Sequence, residues 1–306
     1  MHTKHLRCSR KAWIALPWLL LVMTSLSGTL DTWKSNSPDP EIGPTDEPRF
    51  RKRPTFLPSA PANLTRINGL SEAMSIPTGK CHKLAEIGGN WYCQGFDGNK
   101  DVCLDPWYTP AYNSCLIYSF GVGNDITFEK IMSDLWGCHV FLHDHTVNHT
   151  QDFFGPRHVH RPWGIANVSH VDDDGRTLVT YKDALAANGH VGAQVHYLKI
   201  DIEENEYNAL PQIIASGLLE NVWQLHMEVH NFWRKSSEVY IQRNKLAYEI
   251  LSELENAGFR RVRATVNNLQ RWIDEHEWGG WCCSDVLWVN ERIRNQALRF
   301  CSSYKL

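Results

Sequence analysis

The chain has 306 residues, of which 42% are hydrophobic and 21% are charged, and its formal net charge is -3 at pH 7. This balance lacks the basic excess of a nucleic-acid-binding protein, so we expect no nucleic-acid partner. The length allows one α/β domain with a sizeable core, which 13 tryptophans in the chain help to fill.

The first thirty residues have the pattern of a secretory signal. A basic segment at residues 1–11 precedes an uncharged stretch at residues 12–30, and Asp31 follows. The stretch is either a signal peptide or a signal anchor, because it is just long enough to span a bilayer while its second half is diluted by Thr24, Ser25, Ser27, Gly28 and Thr29, as in a cleaved signal peptide. We favour the anchor, and the basic flank would hold the amino terminus in the cytosol. We therefore expect a single-pass type II membrane protein of the Golgi or endoplasmic reticulum with a luminal domain. If the segment is cleaved, the protein is secreted.

Residues 31–77 have the composition of a Pro-rich stem. Aliphatic residues are few, and proline removes backbone donors and favours extended backbone, so we expect a spacer without a core. The folded head is then expected at residues 78–306. The prolines that indicate the stem are Pro38, Pro40, Pro44, Pro48, Pro54, Pro58 and Pro61.

Cysteine usage agrees with a luminal head. Of nine cysteines, Cys8 precedes the apolar stretch and an even eight follow it, which favours disulfides. Paired CxxC or CxxH spacings typical of zinc sites are absent from the sequence. The sequence does not fix the connectivity. Glycosylation sequons begin at Asn63, Asn148 and Asn167.

Strands and helices alternate along the head. Apolar runs predict strands at residues 116–120, 139–144, 157–166, 195–202, 223–229, 260–266 and 285–290. Helical spacing predicts helices at residues 125–136, 180–187, 206–216 and 237–256. The alternation predicts an α/β fold with a mostly parallel sheet and helices on both faces, and the last two strands predict a late antiparallel hairpin.

The ends of several predicted strands carry motifs that resemble a known family. Their sequences are Tyr118-Ser-Phe-Gly-Val-Gly123, Asp144 after the second strand, Leu198-Lys-Ile-Asp-Ile-Glu203 and Glu228-Val-His230. Over residues 115–290 the chain resembles the methyltransferase-like protein 24 family and its FkbM-type relatives. The resemblance implies a Rossmann-like class I methyltransferase fold with a seven-stranded sheet and S-adenosylmethionine as cofactor.

The chain departs from the family pattern at two places. Where relatives often have Phe-Asp-Pro after the second strand, this chain has Leu142-His-Asp-His145, which keeps the acid. Where relatives often have Glu-Gly, it has Glu203-Glu204, which removes a glycine.

The resemblance assigns cofactor-binding roles to several strand-end residues. Gly121 and Gly123 are expected to let backbone amides meet the methionyl carboxylate, and Asp144 to accept the ribose hydroxyls. Asp201 is expected to steer the sulfonium and to take a proton from the acceptor. Taken singly, the glycines and Asp144 are also typical of ordinary turns.

Four polar side chains are expected to meet at two neighbouring strand ends. Glu228 and His230 lie two residues apart and face the same way, next to Asp201 and Glu203. The four either hold magnesium or manganese or form a hydrogen-bonded cluster. Asp201, Glu228 and His230 are the candidate catalytic residues, with Asp201 or His230 as the base.

These features predict an S-adenosylmethionine-dependent methyltransferase of the secretory pathway that methylates an oxygen of an unknown acceptor. The compartment makes glycan hydroxyls the first acceptor to test. One alternative is a manganese-dependent Golgi glycosyltransferase that uses Asp172 and Asp174, although Gly175 and Arg176 favour a solvated turn there. The other is a binding domain that keeps the fold and has lost transfer.

Overall fold

Strands and helices alternate through the computed structural model, which describes residues 62–65, 69–92, 95–147, 153–231, 237–267, 271–273 and 279–303. The strands are β1 (Leu84–Tyr92), β2 (Gly95–Cys103), β3 (Leu116–Phe120), β4 (His139–His143), β5 (His158–Arg161), β6 (Trp163–Ile165), β7 (His170–Val171), β8 (Thr177–Val179), β9 (Val195–Ile200), β10 (Val222–His230), β11 (Phe259–Val266), β12 (Arg271–Ile273), β13 (Gly279–Trp281) and β14 (Cys283–Asn290). The helices are α1 (Gly69–Met74), α2 (Thr127–Trp136), α3 (Tyr181–Ala187), α4 (Glu206–Ala215), α5 (Ser237–Asn256) and α6 (Glu291–Ser303), and short 3-10 helices occur at Ala62–Thr65 and Leu218–Asn221.

The central sheet has seven strands in the order β11, β14, β10, β9, β3, β4, β5. Neighbouring strands are parallel except at β14, which is antiparallel to both β10 and β11. Every residue of β9 is buried, as expected for an inner strand covered on both faces. The predicted seven-stranded, mostly parallel sheet with a late antiparallel hairpin is confirmed.

Helices cover both faces of this sheet. Alternate residues of β3 belong to different buried clusters, because Tyr118 packs with one cluster and Ile117 with the other. The first cluster includes Leu210 of α4 and Leu251 of α5, whereas the second includes Phe128 of α2. The prediction of helices on both faces is therefore confirmed.

The predicted third strand, residues 157–166, is divided at Pro162. Its first half is β5 at the edge of the central sheet, and its second half is β6 in a separate three-stranded sheet with β7 and β8. Proline has no N–H to donate to a ladder, so a single strand through this position is disfavoured.

A hairpin that the sequence did not predict lies against the sheet. Strands β1 and β2 pair antiparallel from Leu84 opposite Cys103 to Tyr92 opposite Gly95. The hairpin packs on the start of α2 so closely that a Cβ at Gly88 would lie 2.5 Å from the backbone nitrogen of Phe128. Only glycine allows this approach, and its backbone there has a positive φ of 82°.

The predicted boundary between stem and head at residues 77 and 78 is wrong. Leu64, Leu70 and Met74 are buried in the core, and α1 packs against α5. These apolar residues lie after the prolines, and their burial makes the segment part of the head. The predicted cytosolic segment 1–11, the anchor at 12–30 and stem residues 31–61 lie outside the described residues. Within the ranges described, no helix combines the length and apolarity needed to cross a membrane.

Disulfides join several of the described cysteines, as the even count predicted. Cys81 bonds Cys103, Cys115 bonds Cys138, and the adjacent residues Cys282 and Cys283 bond each other. The first bond ties the segment before β1 to the end of β2, and the second ties the start of β3 to the residue before β4. Cys301 is a free, exposed thiol on α6.

Candidate functional site

The candidate site lies at the carboxyl ends of β3, β4, β9 and β10. Parallel register places Phe120 of β3 opposite His143 of β4 and Ile200 of β9. The residues that follow these strands are therefore neighbours. The structure brings together the predicted glycine turn, Asp144 and Asp201 at one edge of the sheet.

The two turn glycines serve different purposes. Gly121 has a φ of 76°, and a Cβ there would overlap the carbonyl oxygen of Asp201, so glycine is required where the two strand ends meet. Lys199 Nζ fixes this contact by donating to the Gly121 carbonyl at 2.6 Å. Gly123 has a φ of 58° and faces open space, with no atom within 4 Å of a Cβ position. The open face over Gly123 leaves room for a ligand.

Asp144 holds the glycine turn in place. Its Oδ2 accepts from the backbone N–H groups of Val122 and Gly123, each at 2.8 Å. Its Oδ1 accepts from the N–H and the hydroxyl of Thr146 at 2.7 and 2.6 Å. Burial favours the neutral acid, but these hydrogen bonds outweigh it and lower the pKa of Asp144.

These bonds change the expected roles of the turn. The amides of Val122 and Gly123 already donate to Asp144, and the amide of Gly121 donates to the His143 carbonyl at 2.9 Å. A methionyl carboxylate therefore finds no free donor among these three amides, and the predicted contact is not supported. The ribose contact of Asp144 stays a prediction, and it requires the Thr146 hydroxyl to turn away from Oδ1.

Asp201 is an ionised carboxylate at the tip of β9. Its side chain is 22% exposed, and Lys199 Nζ lies 3.8 Å from its Oδ2. Burial opposes ionisation, but the positive charges of Lys199 and Lys100 outweigh burial and lower the pKa of Asp201 to about 2. The carboxylate is consequently a weak base, and it is better suited to hold a cation than to remove a proton.

Glu228 lies buried beside Asp201, where its neutral form is favoured. Burial raises its pKa well above the ordinary value, and the negative charges of Asp201 and Asp285 raise it further. Glu228 hydrogen-bonds to Asp201, and its Oε1 accepts from Asn267 Nδ2 at 3.2 Å. The arrangement favours one negative charge shared by the two acids over a charge on each.

The surroundings of His230 favour its positively charged form. Its Nδ1 lies 2.9 Å from Oε1 of the buried Glu206, and its Nε2 lies 3.7 Å from Oε2 of the exposed Glu203. Burial opposes protonation, but the charge and hydrogen bond of Glu206 outweigh it and raise the pKa of His230 well above its ordinary value. An imidazolium has no lone pair for a proton, so these surroundings disfavour His230 as the base, and that role stays a prediction.

The four predicted polar residues converge only in part. Asp201, Glu228 and His230 form a buried or half-buried cluster, whereas the side chain of Glu203 is 87% exposed at its rim. Donor atoms of Glu228, His230 and Cys283 lie within 4.8 Å of one another. This set of three is a poor match for a divalent cation, because the Cys283 sulfur is in a disulfide and His230 Nδ1 already pairs with Glu206. The contacts of Glu228 with Asp201 and of His230 with Glu206 agree with the hydrogen-bonded alternative, and metal binding by the four predicted residues stays a prediction.

Several residues of the site were missed by the sequence analysis. Lys100 of β2 is buried with its Nζ 3.1 Å from Oδ1 of Asp285 on β14, and both contribute charge to the cluster. Lys199 lies in a fully buried strand. A lysine inside an apolar strand is rarely buried without a partner, and this signal was available in the sequence. Lys100 and Asp285 are 185 residues apart, and no sequence pattern indicated that they would pair.

The unpredicted hairpin forms one wall of the site. Asp125, two residues after Gly123, accepts from Asn90 Nδ2 at 2.8 Å and from the Tyr92 hydroxyl at 2.9 Å. These bonds hold the end of β1 beside the glycine turn. Trp91, also near the end of β1, is 77% exposed, and its ring centroid lies 5.4 Å from that of Phe96.

The predicted glycosyltransferase motif is a salt-bridged turn. Arg176 Nε lies 2.6 Å from Oδ2 of Asp172, and its Nη2 lies 2.7 Å from Oδ2 of Asp174. The Asp172 Oδ1 also accepts from the N–H groups of Asp174 and Arg176, which closes the turn between β7 and β8. Both carboxylates are paired with the guanidinium of Arg176, which argues against a manganese site.

The three predicted sequons are described to different extents. Asn167 is exposed in the loop that follows β6, where a glycan has room. Asn63 lies in the 3-10 helix Ala62–Thr65, and its side chain is outside the described part, as is Asn148.

Comparisons with known proteins agree with the motifs. A family model described as a methyltransferase domain matches residues 73–279. A protein named "Probable methyltransferase-like protein 24" is 26% identical over 211 residues in Rattus norvegicus, covering 63% of this chain and 56% of that protein. Its Homo sapiens counterpart is 26% identical over 212 residues, covering 62% of this chain and 55% of that protein. The chain thus spans a little over half the length of these relatives.

Among solved structures, Methanococcus jannaschii fibrillarin, a pre-rRNA processing protein, matches 60% of this chain and 69% of its own, with 11% identity and a TM-score of 0.34. A similarity of this size adds nothing to the fold described above. The family and the two relatives confirm the resemblance seen in the strand-end motifs.

Proposed function

Because this chain belongs to the family defined by the methyltransferase domain, matched over residues 73–279, we propose that it is an S-adenosylmethionine-dependent methyltransferase. The observation that carries the proposal is the meeting of an open glycine turn with an ionised carboxylate at the carboxyl edge of the sheet. S-adenosylmethionine supplies a methyl group made reactive by a positively charged sulfonium. A site for it needs room at the turn and negative charge nearby.

The residues of this edge fit those needs. Gly123 leaves space over the turn, and Asp144 keeps the turn in one conformation by bonding two of its amides. Asp201 keeps its charge because Lys199 and Lys100 lower its pKa to about 2. A partly exposed carboxylate that stays ionised attracts a cation in a site of reduced dielectric.

We propose transfer to an oxygen of the acceptor. Positioning supplies much of the rate enhancement, because an acceptor already held in line with the methyl group loses little further entropy in the reaction step. Once the oxygen has gained the methyl group it is strongly acidic, so even a weak base such as Asp201 accepts its proton. Glu228 and His230 support this step by holding Asp201 in its charged form.

We also propose that the domain works in the lumen of the secretory pathway on a glycan acceptor. The support is the disulfides Cys81–Cys103 and Cys115–Cys138, the exposed sequon at Asn167 and the signal-like pattern of residues 1–30. A type II orientation places the head on the same side as newly made glycoproteins.

A methyl-transfer assay tests the proposed activity. The purified chain is incubated with methyl-labelled S-adenosylmethionine and released glycans of secretory cells, and labelled products are identified by mass spectrometry. We expect Asp201→Asn to lower the rate about a hundredfold, the usual loss of one electrostatic group. Asp173→Asn, in the exposed turn before β8, is the matched control and should leave the rate unchanged.

Two results would count against the activity. A folded Asp201→Asn variant with turnover within about twofold of the unchanged protein would show that the carboxylate cluster is structural. Saturable cofactor binding without any labelled product from any acceptor class would favour the alternative of a binding domain that has lost transfer.

A further inference from the structure

A basic cavity lies at the edge of the sheet opposite the candidate site. Its volume is about 230 Å³, and Lys80, Arg260 and Arg294 line it together with Glu291. Arg260 is near the start of β11 and pairs with Val289 near the end of the antiparallel β14. The candidate site lies at the other end of these strands, so the cavity is separate from it.

Positive charge is in excess around this cavity. Glu291 lines it as an acid, and its carboxylate is already engaged by Arg260 Nε at 3.2 Å and by Arg294 Nη1 at 3.9 Å. Among the described residues, Lys80 has no acidic partner. Cations grouped in this way repel one another, and a bound anion relieves that repulsion.

The segment that carries Lys80 is fixed on both sides. The N–H groups of Thr78 and Gly79 both donate to the carbonyl of Arg261, at 2.8 and 2.9 Å. On the other side, Cys81 is bonded to Cys103, and the N–H of His82 donates to Asp105 at 3.0 Å. Lys80 is therefore presented from an ordered backbone.

The two arginines are also positioned by contacts. Arg260 Nη1 donates to the carbonyls of Glu255 and Phe259, at 3.0 and 2.8 Å. The guanidinium of Arg294 lies over the Trp107 ring, 5.6 Å from its centroid. Because these groups are held before a ligand arrives, binding costs less side-chain entropy.

We propose that this cavity binds the phosphate or sulfate ester of a ligand about the size of a monosaccharide. Lysine and arginine donors form strong charge-assisted hydrogen bonds with tetrahedral oxyanions. The cavity volume corresponds to about seven or eight water molecules at roughly 30 Å³ each, which leaves room for a ring beside the anion. The inference does not depend on methyl transfer at the opposite edge.

Calorimetric titration of the full chain tests this site with glucose 6-phosphate, glucose 6-sulfate and glucose at constant ionic strength. We expect saturable binding of at least one ester and none of glucose. Lys80→Gln and Arg294→Gln should each weaken ester binding at least tenfold. Arg292→Gln removes the same charge from α6 but its Nη1 pairs with Glu220, 2.7 Å away, so affinity should change less than twofold.

The relative affinity of the two esters identifies whether phosphate or sulfate is preferred, and equal affinity supports a general oxyanion site. Added sodium chloride should weaken ester binding to the unchanged protein, which needs no variant to fold. Absence of saturable ester binding, equal binding of glucose, or an equal loss in Arg292→Gln would overturn the proposal.

Discussion

His230 and Glu206 form a buried ion pair beneath the candidate site, with His230 Nδ1 2.9 Å from Glu206 Oε1. The same oxygen accepts from the N–H of Ile202 at 3.0 Å. Glu206 thus ties the loop after Asp201 to the end of β10. This contact makes the charge of His230 and the position of Asp201 depend on one carboxylate.

Glu206→Gln should destabilise the fold by about 3 kcal/mol at pH 5 to 6, because it leaves a buried histidine without its charged partner. The raised folded-state pKa of His230 stabilises the fold fully below the unfolded value of about 6.5. That stabilisation is lost as pH rises through the folded value. Urea unfolding from pH 5 to 9 measures both effects, and the variant should lose this pH dependence.

The control for this variant is Glu220→Gln, which removes the exposed ion pair with Arg292. Such a pair contributes less than about 1 kcal/mol. Equal losses of unfolding free energy in the two variants would show that the His230 pair is energetically unimportant.

Glu204→Gly should raise the free energy of unfolding by about 0.5 to 1 kcal/mol. Glu204 has a φ of 73°, a conformation in which a side chain costs about 1–2 kcal/mol. Glycine removes this cost, but part of the gain is lost because glycine also gives the unfolded chain more conformational entropy. Asn205→Gly is the adjacent control, because Asn205 has a φ of -75° and should lose stability on replacement. Chemical denaturation measures the free energy of unfolding of both variants. A lower free energy of unfolding in both would contradict backbone strain at Glu204.

Gly123→Val should abolish binding of S-adenosylhomocysteine while the domain stays folded. The side chain would fill the open space over the turn and strain a backbone with positive φ. Gly192→Val carries the same strain, with a φ of 84° and no atom within 4 Å, but lies in another loop. Of these two variants, only Gly192→Val should bind S-adenosylhomocysteine in a calorimetric titration. Equal affinities in two folded variants would remove Gly123 from the cofactor site.

Asn167→Gln should remove one glycan from protein made in secretory cells, because the exposed loop after β6 carries a sequon. Glycosidase treatment followed by electrophoresis measures the change in mobility. Thiol-blocked samples should also run differently with and without reductant, as expected for Cys81–Cys103 and Cys115–Cys138. Absence of both shifts would place the protein outside the secretory pathway.

The central sheet was predictable because its strands are short apolar runs separated by clear stops. The predicted strand at 116–120 and helix at 237–256 match β3 and α5, and the helix that ends at Trp136 stops at Gly137 in the left-handed conformation. The β1–β2 hairpin was missed because glycines such as Gly88 and Gly89 interrupt its apolar pattern. Gly88 is needed for close packing on α2, and Gly89 for close packing on Phe96 of the paired strand β2.

The site was predictable only where its residues follow strands. Asp144, Asp201, Glu228 and His230 were located by position in the chain, but their protonation depends on contacts from distant elements. Lys100 from the missed hairpin helps to keep Asp201 ionised, and Glu206 keeps His230 charged. These charges make Asp201 a base only for a strongly acidic group such as a methylated oxygen and disfavour His230 as a base, and both catalytic roles stay predictions.

Calorimetric titration of the purified chain with S-adenosylmethionine, beside a nucleotide sugar with manganese, tests the proposed function most directly. We expect saturable binding of S-adenosylmethionine and no binding of the nucleotide sugar. Asp201→Asn should bind S-adenosylmethionine at least about tenfold more weakly, because a charge contact is lost. Failure of S-adenosylmethionine to bind the folded chain, or manganese-dependent binding of the nucleotide sugar lost in Asp172→Asn, would contradict a methyltransferase.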